Sequence, residues 1–326
     1  MNKKRICLFA GFDKHGILDD YVLYYIKELS KLYDVFYWTD NSLNGEDLNK
    51  LKPYTKFAMA QKHGKYDFGS WSEILNAIGY EALEKYDEML LVNDSCFGPI
   101  FDIQKVFNEM SEKGLDAWGM CGNKFIMSFF IVLKSAVFRS ETFKCFFRNI
   151  VHEEDKVLVI KKYEQGFSKM LTSEGFKTGV YLKGNDINSF YKLNRKMIKE
   201  SLKNLMPWWG RLFVRFSPNK VRLYSDDFIL PFLMRMPLLK KNAIYYNENL
   251  IPVYYRDLIV KYSNYPASLI ENNYNRIIGK EIDLKTRIKL RVKNQIKRFI
   301  SDAKYRRNKK ITRIFTIPVK IEKILK

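Results

Sequence analysis

Three short segments bring together residue types that can handle a metal ion or an anionic ligand. The first is Asn93-Asp94-Ser95, which follows the strand-like run Glu88–Val92. A carboxylate flanked by an amide and a hydroxyl offers hard oxygen donors of the kind Mg²⁺ and Mn²⁺ take. The same residues also suit an Asx turn in which Asp94 satisfies loop amides, and both readings stay open. The second segment is Tyr66-Asp67-Phe68-Gly69-Ser70-Trp71. Gly69 would let the backbone approach a ligand closely, and Ser70 could cap a helix over 71–83 whose first amides suit a phosphate. The plainer reading is a helix start with Trp71 in the core. The third is Asp13-Lys14-His15-Gly16, after the apolar run 6–10, with Asp40 in a similar place after residues 35–39. His15 reads equally well as a solvated loop histidine.

Other chemistries lack their residues. No Gly-rich P-loop, nucleophile elbow or paired-His zinc motif is present, and His63 and His152 have no partner pattern and read as solvated. Cys7, Cys96, Cys121 and Cys145 show no Cys-x-x-Cys spacing. Three of them, Cys7, Cys121 and Cys145, sit in apolar, strand-like surroundings and read as reduced and buried, as in a cytoplasmic protein.

The elements that must position these segments are legible as an alternation. Short apolar or β-branched runs at 6–10, 35–39, 57–60, 88–92 and 129–133 read as strands. Between them, apolar spacing at Val22, Leu23, Tyr25, Ile26 and Leu29, and again at Trp71, Ile74, Leu75, Ile78 and Leu83, reads as helix. The expectation is an α/β, Rossmann-like, mostly parallel sheet flanked by helices, followed by a helical C-terminal region. In such sheets ligands sit beyond the carboxyl ends of the strands, so loops 11–16, 39–41 and 93–98 should line one mouth. The division expected is a ligand-binding domain over 1–190, a helical region over 191–279 and a basic segment over 280–326.

The chain's 326 residues carry a net charge of +21. Residues 280–326 hold 17 Lys and Arg against 4 Asp and Glu, a net of +13, leaving +8 for residues 1–279. Apolar residues from Ile282 to Ile300 among the basic ones suit an amphipathic helix on an anionic membrane surface. Trp208, Trp209, Phe213 and Phe216, with Arg211 and Arg215, could form a second interfacial patch or pack on the domain. Nucleic acid is the less suited anionic partner, because no recognised binding motif accompanies Phe299, Tyr305 and Phe315. The longest apolar stretch, 125–133, is far short of the ~20 residues a spanning helix needs. The apolar run 6–10 is too short for a signal peptide. A cytoplasmic protein, peripheral to the inner face of the membrane, is expected.

Several stretches resemble the rhamnan synthesis protein F family. They are Ile6-Cys7-Leu8-Phe9-Ala10-Gly11-Phe12-Asp13 with Ile17-Leu18-Asp19-Asp20-Tyr21-Val22, then Lys65-Tyr66-Asp67-Phe68-Gly69-Ser70-Trp71, then Leu91-Val92-Asn93-Asp94-Ser95-Cys96-Phe97-Gly98-Pro99. Weaker similarity follows at Asp116-Ala117-Trp118-Gly119, Tyr163-Glu164-Gln165-Gly166 and Pro237-Leu238-Leu239-Lys240. The resemblance covers the first 180 residues well and 225–245 weakly. It implies a glycosyltransferase of the A type that moves a sugar, rhamnose or another hexose or deoxyhexose, from a nucleotide-sugar donor to a growing, lipid-linked glycan. It further implies a divalent cation, Mg²⁺ or Mn²⁺, at Asp94. Donor contacts would come from Asp13, His15, Asp40, Asp67, Gly69, Ser70, Asn93 and Ser95, and Glu164 would be the general base. One departure is visible. Where the family pattern reads His-x-Gln-Ser-Tyr-Phe, this chain has Phe125-Ile126-Met127-Ser128-Phe129-Phe130. That points to a different sugar or acceptor, or to lost activity. A nucleic-acid binder and a non-catalytic scaffold are the rival classes.

Overall fold

The computed structural model describes residues 3–123, 125–184, 186–187, 189–190, 193–194, 196, 229–246 and 255–279. The region expected over 191–279 is therefore described in part. The aromatic patch at 208–216 and the basic segment 280–326 lie outside the described residues.

Apolar runs without alternation make strands buried on both faces. The first is β1 (Arg5–Gly11), whose alternate side chains enter two separate cores. Cys7 and Phe9 face one core, and Ile6, Leu8 and Ala10 face the other. Beside it lie β2 (Asp34–Thr39), β3 (Phe57–Ala60) and β4 (Glu88–Asn93). A short β5 (Cys96–Phe97) follows, then β6 (Ala117–Gly122), β7 (Phe130–Lys134) and β8 (Thr178–Lys183). The main sheet has seven strands in the order β3-β2-β1-β4-β7-β6-β8. Only β7 runs against its neighbours β4 and β6; the other pairings are parallel. This is the expected mostly parallel sheet flanked by helices. Its register brings the ends of β1, β2 and β4 together, since Gly11 lies opposite Thr39 and Ala10 opposite Asn93. The loops at 11–16, 39–41 and 93–98 therefore open at one end of the sheet.

Two strands of the main sheet escape the sequence pattern, β6 and β8. In β6, Gly119 and Gly122 weaken the strand signal but are required by close packing. A β-carbon on Gly119 would come 2.2 Å from the Ile126 side chain. The helix expected over 71–83 begins earlier and ends sooner, at Tyr66–Ile78. Gly64 and Tyr66 turn into it with φ of 71° and 57°, and Gly79, at φ 76°, ends it. Leu83 sits in a following 3₁₀ turn, Tyr80–Lys85. Trp71 is fully buried, as its core reading requires, and its indole N–H donates to the Val92 carbonyl at 3.1 Å. Cys7, Cys96 and Cys121 are free and buried, whereas Cys145 is exposed on the helix Glu141–Arg148 rather than in a strand. No helix among the described residues is long and apolar enough to cross a membrane.

The C-terminal elements close over the mouth. The strand β9 (Leu239–Lys240) pairs antiparallel with β5, setting Lys240 opposite Cys96. The helix Ala267–Ile278 packs on the helix Asp20–Ser30. Its Arg276 clamps two carboxylates, reaching Asp13 Oδ2 at 2.5 Å and bonding Asp19 through both Nε and a terminal nitrogen. Asn273, on the same face, donates to Asp19 Oδ2 at 2.7 Å. Removing the guanidinium leaves two largely buried carboxylates without their cation. Arg276→Met is expected to destabilise the fold by about 2 kcal/mol, less than for a fully buried pair. Hydrogen exchange should quicken first in 267–278 and in loop 11–19; unchanged exchange there would contradict the clamp.

Candidate functional site

The turn after β4 is organised by Asn93, not by Asp94. Asn93 is 2% exposed. Its Oδ1 accepts from the Ser95 amide at 3.1 Å and the Ser95 hydroxyl at 2.5 Å, while its Nδ2 donates to Asp67 Oδ2 at 2.7 Å. The Asx turn is thus made one residue earlier than the alternative reading of Asp94 had it. That frees the Asp94 side chain to reach the loop after β1, where its Oδ2 accepts from the Phe12 amide at 3.2 Å. The Asp94 backbone is held by the Tyr21 hydroxyl, which donates to its carbonyl at 2.9 Å.

Two cations stand against this turn. Lys240 Nζ donates to Ser95 Oγ at 2.7 Å and lies 4.4 Å from the centroid of the Phe129 ring. Lys241 Nζ donates to the Tyr21 hydroxyl at 2.6 Å and is 3.9 Å from Asp94 Oδ2. Both arrive through the β5–β9 ladder, continued by the bond from the Lys241 amide to the Ser95 carbonyl at 3.1 Å. Spacing within the first 180 residues could not reveal them. The only signal was the resemblance of Pro237-Leu238-Leu239-Lys240.

Glu164 ends the π-turn Ile160–Glu164, and its Oε1 accepts from the Ser128 amide at 2.8 Å. It is near enough to act electrostatically on Asp67. Burial, the Asp94 charge and, more weakly, Glu164 push Asp67 up to about 6, against the pull of Lys240 and Asn93. Burial also raises Asp94, with Lys241 and the Phe12 amide opposing. Asp67 thus responds to the charges of Asp94, Lys240 and Glu164, and hydrogen bonds through Asn93 tie it to Ser95.

The remaining candidates take other roles. Asp13 is occupied: its Oδ1 accepts from the amides of His15 at 2.9 Å and Ile17 at 3.2 Å, and Arg276 holds both its oxygens. Burial alone would raise its pKa, but these donors hold it below the usual carboxylate range. The His15 residue is exposed beside it. Asp40 is likewise a loop clamp, its Oδ1 accepting from the amides of His63 at 2.6 Å and Gly64 at 2.8 Å. Ser70 does not cap a helix; it lies inside one, 1% exposed, with its hydroxyl 3.0 Å from His63 Nε2. Gly69 serves packing rather than ligand approach. Its amide bonds the Lys65 carbonyl, and a β-carbon would come 2.2 Å from the Lys65 side chain and 2.8 Å from the His63 ring. Nor is His63 solvated. Its side chain is 6% exposed, its Nδ1 accepts from the Lys65 amide at 3.0 Å, and burial lowers its pKa. His152, though exposed, bonds the Gly64 carbonyl.

A divalent cation wants several hard oxygen donors converging on one point. Among the described residues no group of three or more His, Cys, Asp or Glu does so. Asp94, the expected ligand, instead has its Oδ2 on the Phe12 amide with the Lys241 ammonium 3.9 Å away. The described residues at this turn do not gather the donors that a resident Mg²⁺ or Mn²⁺ takes.

A family model described as rhamnan synthesis protein F matches residues 35–206, just over half of the chain. The chain belongs to the rhamnan synthesis protein F family. The match takes in Asp67, the turn at 93–95 and Glu164, while the opening strand and the lysine-bearing β9 fall outside it. Two solved structures are similar in part. One is a putative nucleotide-diphospho-sugar transferase from Desulfovibrio desulfuricans G20, 16% identical, covering 58% of this chain and 87% of that one at a TM-score of 0.33. The other is core-mannan synthase A from Aspergillus fumigatus in a Mn/GDP form, 11% identical, covering 54% of this chain and 72% of that one at a TM-score of 0.32. Among curated proteins none matches.

The Asp67 shift has a signed consequence for this family member. Its carboxyl titrates near 3.8 when unfolded and at about 6 when folded. The folded state binds the proton more tightly, so stability falls as pH rises across that window and is level above it. Asp67→Asn keeps an oxygen for Asn93 and removes the charge. It should be more stable than the wild type at pH 7, by about 1–3 kcal/mol. The gap should close below pH 4 in urea titrations; a gap independent of pH would refute the shift.

Proposed function

We propose that this chain is a nucleotide-sugar-dependent glycosyltransferase acting in the synthesis of a surface polysaccharide. The observation that carries the reading is the polar cluster at the carboxyl ends of β1 and β4. There Asp67, Asn93, Asp94, Ser95 and Glu164 meet two lysines in a largely buried setting. Family membership supplies the reaction class. A sugar leaving its nucleoside diphosphate places growing negative charge on the β-phosphate, and preorganised donors there lower the barrier most. The turn at 93–95 and loop 11–16 would hold the donor between them, with His15 exposed toward the nucleoside side. Glu164 would take the proton from the acceptor hydroxyl as the glycosidic bond forms. Its Oε1 is held by Ser128, and its Oε2 would face the acceptor.

The acceptor side would lie past Phe125 and Met127, the residues that depart from the family pattern. A cavity of ≈ 470 Å³ opens beside Phe125, lined by Asn123, Phe125, Ile126, Gln165 and Lys183 among others. Apolar Phe125 in place of a polar residue favours a sugar face with few hydroxyls, as a deoxyhexose presents. The acceptor would be a growing glycan on a lipid carrier, with residues 280–326 drawing the enzyme to the anionic cytoplasmic face of the membrane.

The test is turnover. Wild-type protein is incubated with a panel of nucleotide sugars and a lipid-linked glycan extract, and release of nucleoside diphosphate is followed. Glu164→Gln should lower kcat by about 100-fold or more with little change in the KM for donor. Consumption of no nucleotide sugar by the wild type would reject the transferase and leave a scaffold or a nucleic-acid binder.

A further inference from the structure

The described residues at this turn do not gather the donors that a resident metal takes, yet a departing diphosphate needs positive charge. We propose that Lys240 and Lys241 bind the donor's diphosphate and supply that charge themselves. The inference rests on the transferase reading above and concerns how its site recognises one chemical class, the nucleoside diphosphate.

Three observations carry it. First, both ammonium groups are drawn out of bulk water and hydrogen-bonded to neutral hydroxyls, while Asp67 and Asp94 act on them only from beyond hydrogen-bond range. Lys240 is held by the Ser95 hydroxyl at 2.7 Å and the Phe129 ring at 4.4 Å. Lys241 is held by the Tyr21 hydroxyl at 2.6 Å, with its side chain 19% exposed. Among the described residues no carboxylate lies within 4.0 Å of Lys240, and the Lys241–Asp94 approach, 3.9 Å, is longer than a hydrogen bond. An ammonium in that setting retains protons to donate and gains from an incoming anion. Second, the two lysines sit on either side of one turn. Lys240 contacts Ser95, and Lys241 approaches Asp94, so a ligand over the turn at 93–95 meets both. Two ammonium groups match the two phosphates of a nucleoside diphosphate better than they match a single phosphate. Third, the placement is enforced. The β5–β9 ladder, the bond from the Lys241 amide to the Ser95 carbonyl at 3.1 Å and the bond from the Ile100 amide to the Pro237 carbonyl at 2.7 Å fix the backbone on both sides of the pair. A preorganised cation loses little on binding and acts at once on charge that develops as the bond breaks. In the transfer step the anomeric carbon–oxygen bond breaks, its electron pair passes to the β-phosphate oxygen, and the lysines stabilise that oxygen. The acceptor oxygen forms the new bond and gives up its proton.

The experiment measures binding of UDP, GDP and dTDP by calorimetry to the full chain, in EDTA and then in Mn²⁺. The proteins are wild type, Lys240→Gln, Lys241→Gln, and Lys240→Arg with Lys241→Arg. Circular dichroism and thermal melts accompany each, and the Arg variant guards against loss of folding because it keeps the charge. The expected result is one nucleoside diphosphate that binds the wild type in EDTA. Each Gln variant should bind it about tenfold or more weakly, with the Arg variant recovering most of the affinity. Binding of the matching nucleoside monophosphate should change less. A diphosphate that binds only with Mn²⁺, or one whose EDTA affinity the Gln variants leave intact, overturns the lysine pair while the transferase stands. A wild type that binds no nucleoside diphosphate in either condition rejects both.

Discussion

Asn93 sits at the end of the central strand with a carboxamide that water scarcely reaches, and a buried carboxamide must find partners for both its oxygen and its nitrogen. It does so in two directions. The oxygen gathers the Ser95 amide and hydroxyl into a turn, and the nitrogen reaches across to the first turn of the neighbouring helix at Asp67. From this one side chain the rest of the mouth follows. Ser95 is aimed so that its hydroxyl can accept from Lys240, Asp94 is turned toward the loop after β1, and Asp67 is drawn into a place where its charge is costly. An aspartate at 93 would have brought a third negative charge beside Asp67 and Asp94 and no donor for Asp67.

The charge arrangement explains why the chain's C-terminal part belongs to the site. Burial raises the proton affinity of both Asp67 and Asp94, and the Asp94 charge raises that of Asp67 further, so the two carboxylates call for compensation nearby. Lys240 and Lys241 supply it, and they come from a segment more than 140 residues further along the chain than the turn they touch. The same logic recurs on the other flank. Asp13 and Asp19, at either end of the loop that precedes the first helix, are neutralised by Arg276 from the last described helix. Carboxylates thus come from the front of the chain and cations from the back, and their attraction, with the β5–β9 ladder, fastens the C-terminal elements over the strand ends.

Several residues that look chemical turn out to be architectural, and the physical reason is shared. Asp13 and Asp40 follow strand ends where backbone amides point into loops without carbonyl partners, so each carboxylate is taken up by two of those amides. Gly69 and Ser70 face His63 across the start of a helix, where there is room for a ring and none for a β-carbon.

Much of the framework was legible in residue order alone. Unbroken apolar runs such as 6–10 and 89–92 read as strands covered on both faces, and their alternation with helical spacing points to a parallel sheet whose loops share one mouth. Asp67, Asn93, Asp94 and Ser95 could be picked out because polar residues directly after such runs have nowhere else to be. Strand β6 was hidden, because Gly119 and Gly122 answer to close packing by Ile126 and Phe125, which propensity does not register. What tertiary structure alone decided was division of labour within the mouth: that Asn93 and not Asp94 makes the turn, that Asp13 is bound to Arg276, and that the site's positive charge comes from Lys240 and Lys241. Side-chain roles depend on which groups distant segments bring within 3 Å, and sequence spacing carries no distance across a separation of 145 positions.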